Sequence, residues 1–409
     1  MLIKYQFKNF CSFADLSTLD LVASTTKVRN RFPNNFNTSK FGILPLKTLV
    51  IVGENAGGKT NFIKSINFFK FLFETNNKKM SLQKLINTNN ICSENPNDCD
   101  TKQYFSLEVL INNILYIYDL EIDWNGIISE KLSTKNTNKS KEKNIFIANR
   151  TKIESKETAE EITFELYSDS SPSMNKVLSD SLKSSTTIGL FVNKLALLGN
   201  QSATQFVNWV NTCLYAENIF YSYDLYKDFN FTKDNDDLQI INDEKFIEIL
   251  RMVDYSIDTI DINEEHPFTK TLIKRKKENG NYFSTELASD SSGVREFFAW
   301  AVQIFRVVYE NKTIFADEMD RVLNPILSDR VISFINGMEH TGQFIITSHN
   351  ALHLDLKKYM KEQIYFITKN RETLNSELYS LADFPEVRYE TTKIHEFYMK
   401  GILGGTSNV

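Results

Sequence analysis

A glycine-rich segment near the N-terminus has the residue types and the spacing of a phosphate-binding loop. In "GENAGGKT", Gly53 is followed by four residues and then by Gly58, Lys59 and Thr60. Such glycines let backbone N–H groups surround phosphates, and the N-terminus of a following helix adds a favourable dipole. The lysine would reach the β- and γ-phosphates, and the threonine hydroxyl would bind Mg²⁺. The spacing predicts a nucleotide site, with an ordinary glycine turn as the alternative.

Two carboxylates follow an apolar run in the last third of the chain. The segment "TIFADE" ends in Asp317 and Glu318. At the end of a strand, the first carboxylate could bind Mg²⁺ and the second could polarise a water molecule that attacks phosphate. Because an acidic pair after an apolar strand is common, this prediction depends on the phosphate-binding loop that precedes it in the chain.

A histidine and a serine-glycine pair are further candidates. The segment "FIITSH" ends in His349. A histidine at the carboxyl edge of a parallel sheet stands where ligands bind in open α/β folds, and a purely structural histidine is the alternative. The segment "SDSSGVRE" places Ser291 and Gly293 at the start of a helix, where they could bind an anion or simply cap the helix.

Hydrophobic periodicity predicts the elements that position these residues. An apolar strand at 47–53 leads into the glycine-rich loop, and apolar residues at helical spacing follow Lys59. The segment "YFSLEVLINNILYIYDLEI" predicts an antiparallel hairpin that turns at Asn112–Asn113. Further along, strands are predicted at 313–316 and 343–347, and helices at 294–309 and 326–337. Strands that alternate with helices predict an α/β fold with a largely parallel sheet.

The middle of the chain has a different composition. From about Ser129, "SEKLSTKNTNKSKEKN" and "SDSSPSMNKVLSDSLKSS" predict exposed polar loops. Three helices are then predicted, in "TIGLFVNKLALLG", "ATQFVNWVNTCLYAENIF" and "DEKFIEILRMVDYSI". After them, "LIKRKKENGN" predicts a solvated basic turn in a hairpin around Glu278–Asn279–Gly280.

The composition excludes several classes of protein. The chain has 47 basic and 52 acidic side chains and a net charge of -5, so no global positive field draws it to nucleic acid, although a local basic groove stays open. The four cysteines form no Cys-x-x-Cys pair, which argues against a zinc site or a disulfide framework. Since no run approaches the ~18 apolar residues of a membrane span, we expect a cytoplasmic protein without a membrane partner.

The order of these motifs resembles that of ATP-binding-cassette (ABC) ATPases, in their SMC/RecF-like branch. The resemblance is carried by "GENAGGKTN", "SDSSGVRE", "TIFADE", "MDRVLNP", "IITSH" and the opening "FKNFCSF". Within that branch the chain is similar to compact bacterial anti-phage and abortive-infection ATPases, the RloA, AbiL and PARIS-type (AriA) proteins. Their C-terminal pattern is echoed in "EQIYFITKNRETLNSELYSLADF" and "FYMKGILGG".

The resemblance implies ATP and Mg²⁺ as cofactors and ATP hydrolysis as the activity. It places Glu318 as the catalytic base, His349 as the γ-phosphate sensor and Lys59 on the phosphates. Asp317 and Thr60 would bind the metal. The residues implied to bind nucleotide are Gly53, Asn55, Ala56, Gly57, Gly58, Lys59, Thr60 and Asn61. Ser291 and Gly293 would contact the ATP held by a second copy, which implies a head-to-tail homodimer or a higher even oligomer.

Three positions depart from the family pattern or fit it weakly. Cys11 stands where an arginine commonly follows Asn-Phe in the first strand. Asn324 stands where a histidine is often found in the loop after the acidic strand. Gln103 is the candidate for the glutamine loop of this family.

The resemblance also implies a division of the chain. Residues 1–125 would form one ATPase lobe with the phosphate-binding loop, and residues 265–409 a second lobe with the signature, acidic strand and histidine. Residues 126–264 would form polar loops and a mostly helical insertion. The implied fold is an ABC ATPase head with a mixed or parallel sheet and an antiparallel β subdomain.

Three functions compete at this stage. The first is a sensor or regulatory subunit of an anti-phage system, which controls a separately encoded, nuclease-like effector and answers to nucleic acid or a phage protein. The second is an ATPase that is itself the nuclease effector. For it, Arg388 and His395 would share a helical face, against the alternative that Arg388 lies in an extended segment. The third is a RecF-like DNA-repair ATPase, for which "LIKRKKENGN" is the conspicuous basic run.

Overall fold

The structure is a computed structural model of the 409-residue chain. It describes residues 1–74, 101–124, 126–156, 159–169, 176, 189–217, 236–267, 269–319, 325–349, 351–390 and 393–403. The strands in these ranges form a six-stranded mixed sheet, a seven-stranded antiparallel sheet and a three-stranded antiparallel sheet. Helices pack on the mixed sheet, so the α/β prediction is confirmed.

The mixed sheet carries the glycine-rich loop. Its strand order is β16-β15-β3-β14-β13-β9, and every neighbouring pair is parallel except β15 with β16. The strands are β3 (Thr48–Gly53), β9 (Leu214–Glu217), β13 (Thr313–Ala316), β14 (Gln343–Ser348), β15 (Ile364–Lys369) and β16 (Ser376–Ser380). Strands β3, β13 and β14 lie where the sequence predicts them. Strands β15 and β16 extend the sheet beyond that prediction.

Strand β3 is buried on both faces, as expected of a central parallel strand. Leu49 and Ile51 belong to one apolar cluster, and Val50 and Val52 belong to the other. The helices are α1 (Lys59–Glu74), α2 (Phe191–Leu197), α3 (Gln201–Cys213), α4 (Asp236–Ile241), α5 (Glu244–Leu250), α6 (Ser292–Glu310), α7 (Pro325–Gly337) and α8 (Ile394–Met399). Helix α1 packs in the first cluster, and α6 and α7 pack in the second.

The antiparallel sheet has the order β2-β1-β4-β5-β6-β7-β8. Its strands are β1 (Leu2–Lys8), β2 (Ser17–Asp20), β4 (Gln103–Ile111), β5 (Ile114–Asp123), β6 (Gly126–Lys135), β7 (Lys143–Lys156) and β8 (Ala159–Ser168). The predicted hairpin turn at Asn112–Asn113 is confirmed. Both residues have positive φ, 50° and 63°, as a two-residue type I′ turn requires.

The polar loop predicted from Ser129 is wrong for the part that the structure describes. Strands β6 and β7 occupy most of it, because Leu132 packs in the core and Lys131, on the opposite face, has an acidic partner. Leu132 is fully buried, whereas Lys131 forms a 2.6 Å ion pair with Glu142. Most of the second predicted polar loop, 168–185, lies outside the described residues, as does Asn324. The division of the chain into two lobes and an insertion stays a prediction.

The small sheet contains the predicted basic hairpin. Its strands are β10 (Ile257–Asp261), β11 (Leu272–Lys276) and β12 (Tyr282–Glu286). The turn between β11 and β12 is confirmed at Glu278–Asn279–Gly280, where Gly280 has φ 82°. Within the described residues, no helix combines the length and the apolar character needed to cross a bilayer.

A buried carboxylate joins the antiparallel sheet to helix α2. Glu130 on β6 is fully buried and accepts hydrogen bonds from the backbone N–H groups of Phe191 and Val192, at 2.7 and 2.9 Å. The Tyr118 hydroxyl donates a third, at 3.0 Å. Burial raises the pKa of Glu130 to about 7, and these hydrogen bonds oppose the rise.

Glu130→Gln should therefore change how stability depends on pH. Because the pKa of Glu130 is raised in the folded state, ionising this carboxyl costs more there than in the unfolded chain. The free energy of unfolding of the wild type should therefore fall as the pH rises from about 4.5 to 7. The variant should lack this fall, which amounts to on the order of 3 kcal/mol at most. Urea unfolding at pH 5 and pH 8 measures it. The control Glu121→Gln, on neighbouring β5, should keep the wild-type slope, and equal slopes for Glu130→Gln and wild type would contradict the assignment.

Candidate nucleotide-binding site

The predicted site residues meet at the carboxyl edge of the mixed sheet. Strand β3 ends at Gly53, and helix α1 begins at Lys59. Strands β13 and β14 end immediately before Asp317 and His349. A cavity of about 280 Å³ opens there, lined by Glu54, Asn55, Ala56, Gly58, Lys59, Thr60, Asn61, Glu318 and His349. Most of the loop residues predicted to bind nucleotide thus share one cavity with the predicted base and sensor, whereas Gly53 and Gly57 do not line it.

The side chain of Lys59 is held at the base of the cavity. Its ammonium donates to the carbonyl oxygens of Gly53 and Glu54, both at 2.9 Å, and lies 3.2 Å from Nδ1 of His349. Only 4% of Lys59 is exposed. A buried ammonium with this set of contacts stands where it can neutralise phosphate charge.

The predicted sensor and the predicted base contact each other. Nε2 of His349 lies 2.7 Å from Oε1 of Glu318. Since the Lys59 ammonium can only donate, Nδ1 of His349 accepts and Nε2 carries the proton that is donated to Glu318. A directed hydrogen-bond chain thus runs from Lys59 through a neutral His349 to the Glu318 carboxylate.

Thr347 organises the acidic pair, and the sequence did not predict it. Its hydroxyl donates to Oδ1 of Asp317 at 2.6 Å and accepts the backbone N–H of Glu318 at 2.9 Å. Glu318 itself has φ 48°, in the left-handed region that non-glycine residues seldom occupy. The signal that could have revealed Thr347 is strand register, because Ala316 pairs with Ile346 and the next residues are therefore neighbours.

Asp317 has the properties of a cation ligand. It is 2% exposed, and its Oδ2 makes no hydrogen bond among the described residues. Burial raises the pKa of Asp317, while the Thr347 hydroxyl, the nearby Thr60 hydroxyl and the Lys59 charge lower it. A buried carboxylate oxygen beside a hydroxyl suits a hard cation, and Mg²⁺ at phosphate sites uses only one or two protein ligands. The residues fit Mg²⁺, for which Asp317 and Thr60 are the candidate ligands.

Two glycines of the loop are required by close packing. A Cβ on Gly53 would collide with the backbone carbonyl oxygen of Ile367 on β15. Gly58 has φ 121°, and a Cβ there would collide with the Ser376 side chain on β16. The alternative of an ordinary glycine turn is therefore less consistent with the structure, since an exposed turn would not need this packing.

Other predicted residues lie away from the cavity. Ser291 and Gly293 stand at the start of α6 and do not line it. Ser291 is exposed, and its Oγ caps the helix by accepting the N–H of Val294 at 3.3 Å. Gln103 is buried, donates to the carbonyl of Asn9 and is not among the lining residues.

Cys11, in the position where the family commonly has arginine, is also described. It has φ 50° and is partly buried. Burial raises the pKa of its thiol to about 11, so this thiol is neutral at physiological pH and offers no charge to a phosphate.

The basic run in "LIKRKKENGN" includes one residue that is not solvated. The Arg275 guanidinium bonds Asp254 at 2.7 Å, Asp290 at 2.8 Å and the Thr285 hydroxyl at 2.7 Å. Asp290 in turn accepts the backbone N–H of Ser291 at 2.8 Å. Arg275 thus fixes the start of α6, and the prediction of a purely solvated turn is wrong for this residue.

Comparison with solved structures finds heads of SMC proteins. The SMC head domain from Thermotoga maritima is 14% identical over 93% of this chain and 98% of that chain, with a TM-score of 0.40. An SMC head bound to the C-winged helix domain of ScpA is 13% identical over 93% and 97%, with a TM-score of 0.44. No family model and no curated protein matches the chain.

Asp317→Asn should stabilise the nucleotide-free protein at pH 8. Burial raises the pKa of Asp317, so ionisation in the folded state costs stability above the ordinary carboxyl pKa of 3.8. The gain in the free energy of unfolding should shrink as the pH falls towards 4, where the carboxyl is protonated in both states. Urea unfolding at pH 8, 6 and 4.5 measures it. Glu121→Gln, on strand β5, is the control and should show no such gain, and an Asp317→Asn variant less stable than wild type at pH 8 would refute the account.

Proposed function

We propose that this protein is an ABC-class ATPase that binds ATP with Mg²⁺ in the cavity at the carboxyl edge of the mixed sheet. The observation that carries the proposal is the convergence of Lys59, Thr60, Asp317, Glu318 and His349 from three separate parts of the chain. A lysine for the phosphates, a hydroxyl and a carboxylate for Mg²⁺ and a further group that positions water are the parts with which P-loop enzymes transfer phosphoryl groups to water.

The mechanism follows from the Lys59–His349–Glu318 chain. The γ-phosphate would accept hydrogen bonds from the Lys59 ammonium and from Nε2–H of His349, since a charged phosphate oxygen is a stronger acceptor than the carbonyl oxygens and the imidazole nitrogen that Lys59 now contacts. The Glu318 carboxylate, released from His349, would then accept a proton from the attacking water. Bound Mg²⁺ would neutralise charge on the phosphates. In this proposal the contact between His349 and Glu318 keeps the Glu318 carboxylate from acting as a base until nucleotide binds.

The exposed start of α6 supports a site shared between two copies. Ser291 is exposed, and a Cβ added at Gly293 would meet no atom within 4 Å, so this surface has room for a ligand. It lies outside the cavity of its own chain. We therefore propose that Ser291 and Gly293 complete the ATP site of a second copy in a head-to-tail homodimer, so that ATP joins the copies and hydrolysis releases them.

We further propose that the ATPase is the sensor or regulatory subunit of an anti-phage system and controls a separate effector. The support is the sequence resemblance. Two observations disfavour the nuclease alternative: no cluster of three His, Cys, Asp or Glu residues that could hold a metal occurs in the described ranges, and Arg388 lies outside helix α8, which carries His395. The DNA-repair alternative is weakened because Arg275, part of the basic run, forms an ion pair with Asp290 of its own chain. Nucleic-acid cleavage by the purified chain alone would overturn the regulatory role.

Lys59→Ala should abolish nucleotide binding. The variant removes the buried cation of the cavity, and a loss of at least 100-fold in affinity is expected, equivalent to about 3 kcal/mol. Fluorescence titration with a labelled ATP analogue and Mg²⁺ measures it. The control is Lys64→Ala, an exposed lysine on the same helix, which should bind like wild type. Undiminished affinity in Lys59→Ala would remove the loop from the proposed site.

Glu318→Gln should trap an ATP-bound dimer. With the base removed, ATP should bind without turnover, and sedimentation should show dimers that require ATP. Adding Ser291→Arg to this variant should return it to monomers, because a bulky cation would block the shared surface. Its ATP affinity as a monomer should stay unchanged, since Ser291 does not line its own cavity. Dimers that persist in the double variant would contradict the shared site.

A further inference from the structure

A row of hydroxyl groups supports the phosphate-binding loop from behind. Ser376 Oγ lies 2.6 Å from the carbonyl oxygen of Gly57 and 2.7 Å from Oγ of Ser12. Ser12 Oγ is in turn 2.9 Å from Nδ2 of Asn61. The row therefore joins the loop, the turn between β1 and β2, the first strand residue of β16 and helix α1.

The chemistry of the groups fixes the direction of this row. A carbonyl can only accept, so the single hydroxyl proton of Ser376 goes to Gly57. Ser12 must then donate to Ser376, and Asn61 donates to Ser12. Each proton is used once, and each bond has an acceptor.

The carbonyl of Gly57 matters because of how phosphate-binding loops work. They bind anions through backbone N–H groups, so the carbonyl groups of the same loop must point elsewhere and find donors elsewhere. Gly57 is buried and is not among the residues that line the cavity. Its carbonyl is bound by Ser376, which is itself 5% exposed.

We propose that Ser376 is a positioning residue, which sets the affinity for nucleotide phosphates by holding the Gly57 carbonyl away from the cavity. This inference rests on the proposed nucleotide site. Ser12 acts through Ser376, because its hydroxyl supplies the bond that orients the Ser376 proton.

The position of Ser376 is itself well determined. It is the first residue of β16 and pairs with Lys369, the last residue of β15. Its backbone N–H donates to the carbonyl oxygen of Ser12 at 2.7 Å. Its side chain also lies against Gly58, where an added Cβ would collide with it. The C-terminal hairpin thereby supports the loop at two neighbouring glycines.

Ser376→Ala is the direct test. The variant leaves the buried Gly57 carbonyl without its donor, and the loop can relieve that loss by turning the carbonyl towards the cavity, where it repels phosphate. We expect the Kd for a fluorescent ATP analogue with Mg²⁺ to rise about five- to thirtyfold. The KM for ATP should rise by a similar factor with kcat nearly unchanged, because Ser376 contacts none of the reacting groups.

Controls separate positioning from general damage. Ser380→Ala removes another buried serine hydroxyl of the same strand, one that bonds Ala382 rather than the loop, and it should bind like wild type. Ser12→Ala should weaken binding less than Ser376→Ala, since the bond to Gly57 remains. The double variant should bind no more weakly than Ser376→Ala alone, because the two residues act in one row.

The outcomes are distinct. Wild-type affinity in Ser376→Ala, with the wild type binding, would overturn the positioning role and leave the proposed function intact. If the losses of affinity in Ser12→Ala and Ser376→Ala add up in the double variant, the proposal that the two residues act in one row is also overturned. If Ser376→Ala fails to fold, as judged by urea unfolding, Ser12→Ala decides: unchanged affinity there would overturn the inference. A wild type that binds no ATP analogue would refute the proposed function, and this inference with it.

Discussion

The candidate site depends on the parallel register of three strands. Val52 of β3 pairs with Ser348 of β14, so Gly53 and His349, the next residues, are brought side by side. Ala316 of β13 pairs with Ile346, and this pairing places Asp317 beside Thr347. A shift of one residue in either pair would turn these side chains to the opposite face of the sheet. The buried apolar side chains of the strands fix the register and, through it, the distances in the cavity.

Much of the site was predictable because its chemistry is local in sequence. The glycine-rich loop requires a strand before it and a helix after it, and both periodicities are strong around Gly53 and Lys59. The acidic pair and His349 each follow a continuous apolar run, which is typical of a buried parallel strand. That Glu318 and His349 line one cavity could be inferred from the parallel sheet, since its carboxyl ends share one edge.

The features that were not predicted depend on contacts between distant parts of the chain. Thr347 is significant only because register places it beside Asp317. Arg275 stands in a lysine-rich run, and its burial depends on Asp254 and Asp290, which no local pattern connects to it. Strand β6 has the composition of a polar loop, yet it pairs with β5 and β7, and its charged residues Glu130 and Lys131 have partners in helix α2 and in Glu142.

Strand β9 has a consequence for the whole chain. It comes from the stretch between the two predicted lobes, yet it pairs in parallel with β13, with Glu217 opposite Ala316. The strand that ends at the acidic pair is therefore an interior strand only because β9 covers it. A shortened chain without residues 126–264 would leave β13 as an edge, with unpaired backbone groups open to other chains. The middle segment is thus a structural part of the mixed sheet, and aggregation is the expected cost of its removal.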